Sequence, residues 1–456
     1  MGSQSILVAI LAKKYQSMWV TRTVRSKPSS YAHLFHDTST GYPHLLYFET
    51  LMRFYVLGSN PALSLAEFFA IYPSAKAVAT SETVLVCDES GPSPKEAINR
   101  LAGVVKAGSV IASEAKQSRS PASDEIASSV ASLLPRNDDG KKMTFGLSLY
   151  DGGNAPLFGN LKGEASKIGM TVKRTLEAEG RKVRVVTMKG DTLSSVAVTT
   201  QAKAGDIVLV ATKDGILVGR TEAVQDFEAW SKRDFGRPSR DAKSGMLPPK
   251  LARTLVNLAT GTGADLTHAL SSERRGVASL VLLDPFCGSG TVPMEAMLMG
   301  FKAVIASDIS KKATADTGRN LEWVRKEFPE ARASRVSVYV CDAADLAAIL
   351  KDPVDAVAGE TYLGPPMTGR ETLETIQKNM AVLGQSYAKM LVGVHAVMKP
   401  GARAAIAFPA FVRGTQKLRL PLNTILAPIG FTIERTFLYE RKGQKVAREI
   451  VVMRKA

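Results

Sequence analysis

Cysteine is scarce: Cys87, Cys287 and Cys341 are the three in 456 residues, and no two stand in a CxxC spacing. That excludes a disulfide framework and offers no four-ligand zinc pattern. The five histidines add no paired ligand spacing, so no metal site is expected. Long apolar runs are lacking too. SILVAILA, residues 5–12, is too short to span a bilayer, and its basic residues follow it, the reverse of a secretory signal. No membrane association is expected, and the unpaired cysteines fit a reduced, cytoplasmic setting.

Acidic residues are outnumbered: 43 Asp and Glu face 59 Lys and Arg, for a formal charge of +16 and a pI near 9.6. Such a surplus favours a polyanionic partner, because each neutralised phosphate releases counterions. Solubility charge spread evenly over the surface is the other reading of composition. The remaining balance, 22% charged and 45% hydrophobic, is ordinary for a globular protein, and the length leaves room for two to three domains.

Residues 1–51 read as a weakly organised N-terminal extension, for which a mis-assigned start and a functional leader are equally open. From Arg53 the pattern is strand RFYVLG, a turn at Gly58 to Pro61, and a helix with an expected cap at Ser64 and Glu67 three residues later. Short β segments follow in KAVATSETVLVCD, and a second helix starts near Pro94. This predicts a small α+β unit over residues 52–156. It is interrupted at about 110–140 by a segment rich in Ser and Ala without an aromatic residue, so a mobile surface insertion is expected. That segment also resembles translated palindromic repeats of bacterial reading frames, which would make it a passenger. An RNA-touching loop is the lesser reading, because its charges nearly cancel.

A second unit over residues 157–225 begins with an amphipathic helix through IGMTVKRTLEAEG and ends in the strand pair DIVLVATKDGILVGRTEAV. A basic connector, residues 226–248, interleaves Lys232, Arg233, Arg237, Arg240 and Lys243 with Trp230 and Phe235. That mixture suits phosphates and unstacked bases, with a solvated linker as an equal alternative. From Pro249 an apolar-periodic helix begins, and strands then alternate with helices to residue 456, the pattern of a parallel α/β sheet.

SLVLLDPFCGSGTVPMEAMLMG is the most informative stretch. An apolar strand ends at Asp284, a Gly-Ser-Gly turn follows, and a helix starts near Thr291. Backbone N–H groups and a carboxylate then meet at the carboxyl end of a central strand, where open α/β sheets bind ligands. Two further carboxylates close strands: Asp308 in AVIASDIS, suited to ribose hydroxyls, and Asp342 in VSVYVCDAAD, suited to an adenine amine. Singly each is more often a strand-end cap. Three in this order favour S-adenosylmethionine, with Asp284, Phe286, Cys287, Gly288, Ser289, Gly290, Thr291, Asp308, Ile309, Asp342 and Ala343 as candidate binding residues.

MLPPKLARTLVNLA, LLDPFCGSGT, SDIS with NLEW, and YERKGQKVAREIVV resemble the THUMP-bearing tRNA guanosine-N2 methyltransferases of archaea and eukaryotes. The similarity covers residues 52–456 apart from the insertion, and in the N-terminal half rests on FGLSLY and GRTEAVQDF with KRDFGRP. It implies a ferredoxin-like domain over 52–156 and a THUMP domain over 157–225, holding the tRNA acceptor end. A Rossmann-like domain over 249–456 would carry the donor and target base. Position 10 of tRNA is the nucleotide it implies. The number of methylations, and any need for a small activating subunit such as eukaryotic relatives use, stay open.

In that family the fourth strand should run into Asp-Pro-Pro-Tyr; here the sequence is VDAVAGETYLGPP, residues 354–366. An exocyclic guanine amine has its lone pair delocalised into the ring, so a site must accept its N–H bonds and hold the nitrogen in line with the methyl. Counting along the strand from Asp355 places the motif at Glu360-Thr361-Tyr362-Leu363. Matching the double proline gives Gly364-Pro365-Pro366-Met367, with neither carboxylate nor aromatic, roughly 13 Å of extended chain further on. The first register is preferred, with Glu360 as acceptor, Thr361 beside it and Tyr362 as stacking face. Three rivals remain: a donor- and tRNA-binding protein without activity, a DNA amino-methyltransferase, and a cytosine-C5 enzyme. The last needs a thiolate nucleophile that no cysteine is placed to supply.

Overall fold

The computed structural model describes residues 52–113, 123–135, 142–186, 190–240, 246–261, 279–441 and 443–456. Residues 1–51, Lys243 and both flanks of the Ser/Ala-rich segment lie outside the described residues.

Among the described residues the chain forms two eight-stranded sheets. The first comprises β1 (Arg53–Leu57), β2 (Ala77–Thr80), β3 (Val84–Cys87), β4 (Val104–Ser113), β5 (Met143–Asp151), β6 (Val183–Val186), β7 (Gly205–Thr212) and β8 (Gly215–Val224). Their order is β2-β3-β1-β4-β8-β7-β5-β6. With them go helices α1 (Pro61–Ile71), α2 (Pro94–Arg100), α3 (Ser123–Ser132), α4 (Ala155–Ala178) and α5 (Ser195–Thr200). Antiparallel pairing of β4 with β8 joins the two N-terminal units into one sheet. The expected boundary at residue 157 falls after β5, yet β5 pairs in parallel with β6 and β7 and buries Phe145 and Leu149 against the core beneath α4. Strand pairing therefore assigns β5 to the later unit.

Two local expectations are corrected. Asn60, not Ser64, caps α1: its Oδ1 accepts from the Leu63 N–H at 3.2 Å, and Pro61 fills a first-turn position whose N–H would have no helical partner. Ser64 and Glu67 lie inside the helix, and Glu67 is fully buried, accepting from the N–H groups of Ala102 and Gly103 at 3.0 and 2.7 Å. Within the Ser/Ala-rich segment, α3 is a packed helix. Ile126 and Val130 stand four residues apart on one helical face, Leu134 follows just past the helix end, and all three are buried with Leu161, Ile168 and Val172 of α4.

The second sheet comprises β9 (Val281–Asp284), β10 (Ala303–Asp308), β11 (Arg335–Val340), β12 (Val354–Glu360), β13 (Met398–Arg413), β14 (Gln416–Arg419), β15 (Phe431–Tyr439) and β16 (Val446–Lys455). Its order is β11-β10-β9-β12-β13-β16-β15, with β14 paired to β13. Strands β9 to β13 run parallel, and β16 is antiparallel to both neighbours. Helices α6 (Phe227–Phe235), α7 (Pro249–Thr260), α8 (Thr291–Leu298), α9 (Lys311–Glu327), α10 (Leu346–Ile349), α11 (Leu373–Ala396) and α12 (Leu422–Leu426) complete this Rossmann-like half. Strand order turns back between β9 and β12, the crevice in which such sheets bind ligands.

All residues of α7 except Lys250 are buried, because the helix is covered on both sides. Leu251, Leu255 and Val256 pack on Leu282, Ala356 and Ala405 of the sheet, while Leu63 and Ala66 of α1 close the same cluster from the N-terminal half. Asn257 Nδ2 donates to Glu67 Oε1 at 2.6 Å and to the Arg100 carbonyl at 3.0 Å, so the halves share buried polar contacts as well. No helix among the described residues is long and apolar enough to cross a membrane.

Candidate active site

The apolar strand β9 delivers Asp284 to the crevice and the chain then turns sharply. Gly288 and Gly290 have φ of 54° and 84°, the left-handed region that glycine enters without strain. At Gly290 a Cβ would also stand 3.0 Å from the Thr317 side chain. The turn is held from outside. Thr317 Oγ1 donates to the Gly288 carbonyl at 2.9 Å, Asn320 Nδ2 donates to the Ser289 carbonyl at 2.7 Å, and the Cys287 N–H donates to the Ser307 carbonyl at 2.9 Å.

Three strand ends bring carboxylates to one cavity of about 680 Å³. Asp308 accepts from the N–H groups of Gly288 and Ser310, both at 2.9 Å, which fixes its orientation. Beside it, Ile309 is 71% exposed and presents an aliphatic face on the cavity wall. Asp342 accepts from the Ala344 N–H at 3.0 Å. Asp284 is buried and accepts from the Phe286 N–H at 3.1 Å. Burial pushes its carboxyl well above the usual range, and the charges of Asp308 and Glu360 add to that.

The fourth strand end supplies Glu360, Thr361 and Tyr362. Glu360 is the last residue of β12 and pairs with Arg448 of β16; the two side chains are 14% and 5% exposed. Burial raises the Glu360 carboxyl, and the guanidinium opposes that rise. Tyr362 is 64% exposed on the cavity rim, and its carbonyl accepts from the Tyr387 hydroxyl. Thr361 is buried, and its hydroxyl donates to the Ala407 carbonyl at 3.1 Å, so it fastens the strand end. Pro365 and Pro366 are exposed and outside the cavity lining.

The lining therefore gathers Asp284, Phe286, Cys287, Gly288, Ser289, Thr291, Asp308, Ile309, Asp342, Ala343, Glu360, Thr361 and Tyr362, while Gly290 forms the turn behind them. Sequence reasoning missed Lys312 and Asp316 of α9, Ser386, Tyr387 and Met390 of α11, and Met246 and Leu247 before α7. MLPPK was visible as a motif, but nothing local marks the residues of α11. The Cys287 thiol is pushed up by burial and by Asp284, and so is kept from forming a thiolate nucleophile.

The connector is corrected. Arg233 is buried and donates to Glu295 of α8 at 2.7 Å, while Arg253 holds the other oxygen at 2.9 Å. Trp230 is buried under both guanidinium groups, 4.1 and 4.8 Å from its ring centre. Arg237, also buried, donates to Thr291 Oγ1 at 2.6 Å. These two arginines thus brace the donor loop and do not face a nucleic acid, because their partners come from α8. Lys232 pairs with Glu327. Arg240 stays exposed, 5.2 Å above the ring of Phe235, which is 63% exposed.

Residues 237–410 match the family UPF0020, described as an RMKL-like methyltransferase domain. The matched stretch opens at Arg237, the residue that braces Thr291, and ends within β13. Among curated proteins, the tRNA (guanine(10)-N2)-dimethyltransferase of Methanothermobacter thermautotrophicus is 30% identical over 152 residues, 33% of this chain and 38% of that one. The protein of the same name from Pyrococcus abyssi is 26% identical over 222 residues, 49% of this chain and 52% of that one. The chain thus spans between about a third and a half of the length of these curated relatives. The crystal structure of TrmN from Thermus thermophilus aligns over 89% of this chain and 100% of that one, with TM-score 0.50 and 18% identity, a likeness of fold.

Proposed function

We propose that this chain methylates the exocyclic N2 of a guanine in tRNA, using S-adenosylmethionine, and that the nucleotide is position 10, as in the names of the two curated relatives. The observation that carries this reading is the meeting of strand-end carboxylates, glycine turn and Glu360-Thr361-Tyr362 on one cavity beside a methyltransferase-family loop. The residues present fit the donor. Gly288 lines the cavity with no side chain between its backbone and the open space, which permits a close approach, and Asp308 next to the exposed Ile309 offers ribose and adenine contacts. Asp284, Gly288, Asp308, Ile309, Asp342 and Ala343 would hold it. When bound it supplies an electrophilic methyl on a sulfonium.

The chain's own residues handle the base. The Glu360 carboxylate accepts an N–H of the amine, which keeps electron density on nitrogen and orients it. The exposed Tyr362 ring offers a stacking face, and Tyr387 fixes its backbone. We assign tRNA capture to the N-terminal half, as ferredoxin-like and THUMP modules, and to the exposed pair Arg240 and Phe235. The setting proposed is cytoplasmic.

One observation favours a second reading: the Arg448 contact occupies the carboxylate that should grip the base, as in a donor- and tRNA-binding protein without activity. Labelled methyl transfer to unmodified tRNA, with nucleoside analysis and a duplex-DNA control, separates the two. N2-methylguanosine from the parent, lost in Glu360→Ala and Asp284→Ala, is expected. Donor binding without transfer would point to the silent binder or to a missing activating subunit, and label in DNA would establish the DNA amino-methyltransferase.

A further inference from the structure

We infer, on the guanine-N2 reading above, that Arg448 is a positioning residue for the methyl acceptor: it pins the Glu360 carboxylate as an anion so that the second oxygen receives the guanine N–H. Sheet geometry brings the two together. Strand β16 lies two strands from β12, across β13. Glu360 is level with Ala407, Ala407 with Ile450, and Pro409 with Arg448. Alternate residues share a face, so Glu360, Ala407 and Arg448 project from the same side of the sheet. Ala407 is small enough to leave the gap open, and an arginine reaches across it.

The contact is asymmetric. Nε–H of Arg448 donates to Oε1, and Nη2 donates to Oε2 in a longer bond of 3.5 Å. Oε1 is thereby anchored and Oε2 keeps most of its accepting capacity. Both side chains are nearly buried, which shelters the pair from water and salt. The requirement follows from the surroundings. Asp284 of β9, Cys287 of the loop, Asp308 of β10 and Asp342 after β11 share the cavity, as do Lys312 and Asp316 of α9 and Tyr387 and Lys389 of α11. Strand β13 presents Ala407 there, without charge. Burial favours a protonated Glu360, whose O–H would meet the amine as donor to donor. Arg448 is the cation that the structure places in contact with it.

The test is the pH dependence of single-turnover methyl transfer to tRNA by the parent, Arg448→Gln, Arg448→Lys, Glu360→Gln and the double glutamine variant. Because the ionised form acts, the rate falls as pH drops through the Glu360 pKa. Removing the guanidinium should move that acid limb upward by roughly one pH unit or more, with partial recovery in alkali, and Arg448→Lys should restore it in part. In the Glu360→Gln background the Arg448→Gln change should cost less than about twofold, since the partners act as a unit. Donor affinity by calorimetry should stay within about twofold, which also reports folding. Titration of Glu360 by difference NMR against Glu360→Gln should show the same upward move without tRNA. An unmoved limb with a uniform loss at every pH, or full additivity of the two substitutions, would overturn the positioning role alone. A parent that makes no N2-methylguanosine would overturn the guanine reading, and this inference with it.

Discussion

Asp284 is held in a place that suits the donor better than it suits the fold. It is buried, takes one backbone N–H from Phe286, and faces two further carboxylates. Its folded pKa lies above the unfolded value, so the folded state binds more protons. That contribution to stability is full below the ordinary carboxylate range and is lost as pH rises through the raised value. Asp284→Asn should therefore raise the Tm of the donor-free protein, by roughly 2 °C or more at pH 8 and by less at pH 5. Donor affinity should fall at least about tenfold, as strand-end carboxylates contribute charge-assisted hydrogen bonds. Differential scanning fluorimetry with and without donor checks both, and a lower Tm at pH 8 would count against the unrelieved burial. Cys287→Ser is the companion: a buried, protonated thiol has no nucleophilic role, so transfer should stay within about threefold, against near-complete loss for a C5-type mechanism. Asp284, Asp308, Asp342 and Glu360 were legible because each closes its own strand. Arg448 was not, because it stands 88 residues from the carboxylate it pairs with.

At the scale of elements, the donor loop and the connector behave as one piece. Gly290→Ala places a Cβ where φ is 84° and Thr317 is 3.0 Å away, so the turn must open. A left-handed alanine costs about 1–2 kcal/mol before any clash, and donor affinity should drop about tenfold or more in calorimetry while the rest of the fold persists. The connector divides by burial. Arg233→Ala strips one partner from buried Glu295, a loss of about 3–5 kcal/mol that chemical denaturation would register. Arg240→Ala and Phe235→Ala should leave stability alone and weaken tRNA binding, the arginine change lowering the salt slope by about one if it meets a phosphate. Sequence spacing showed a basic, aromatic connector but not which cations face inward, because Glu295 and Thr291 lie 62 and 54 residues downstream. The same holds for α3. Composition over its whole segment hid the four-residue recurrence of Ile126, Val130 and Leu134, whose value depends on the facing stripe of α4.

The whole molecule is organised around α7, which belongs to the sheet of one half and is roofed by α1 of the other. Its polar residues follow that arrangement: Asn257 reaches Glu67, and Arg253 joins Glu295 to the Asn99 carbonyl at 2.9 Å. The alternation of strands and helices announced a parallel α/β half, but a helix buried on both faces reads the same as one packed on a sheet alone. Two truncations expose the difference. Residues 246–456 lack Arg233, Trp230 and Arg237, so Glu295 keeps one cation, Thr291 loses its brace, and the apolar roof of α7 meets water. Residues 227–456 retain the connector and lose only the roof. Exposed apolar area is costed at about 25 cal/mol per Å², and removing one partner from a buried ion pair adds about 3–5 kcal/mol. The shorter piece should aggregate or melt well below the longer one and bind S-adenosylmethionine at least about tenfold more weakly, as the connector positions the donor turn. Equal melting and equal donor affinity of the two pieces would show that the connector is a passive linker, and that the Rossmann-like half is braced without it.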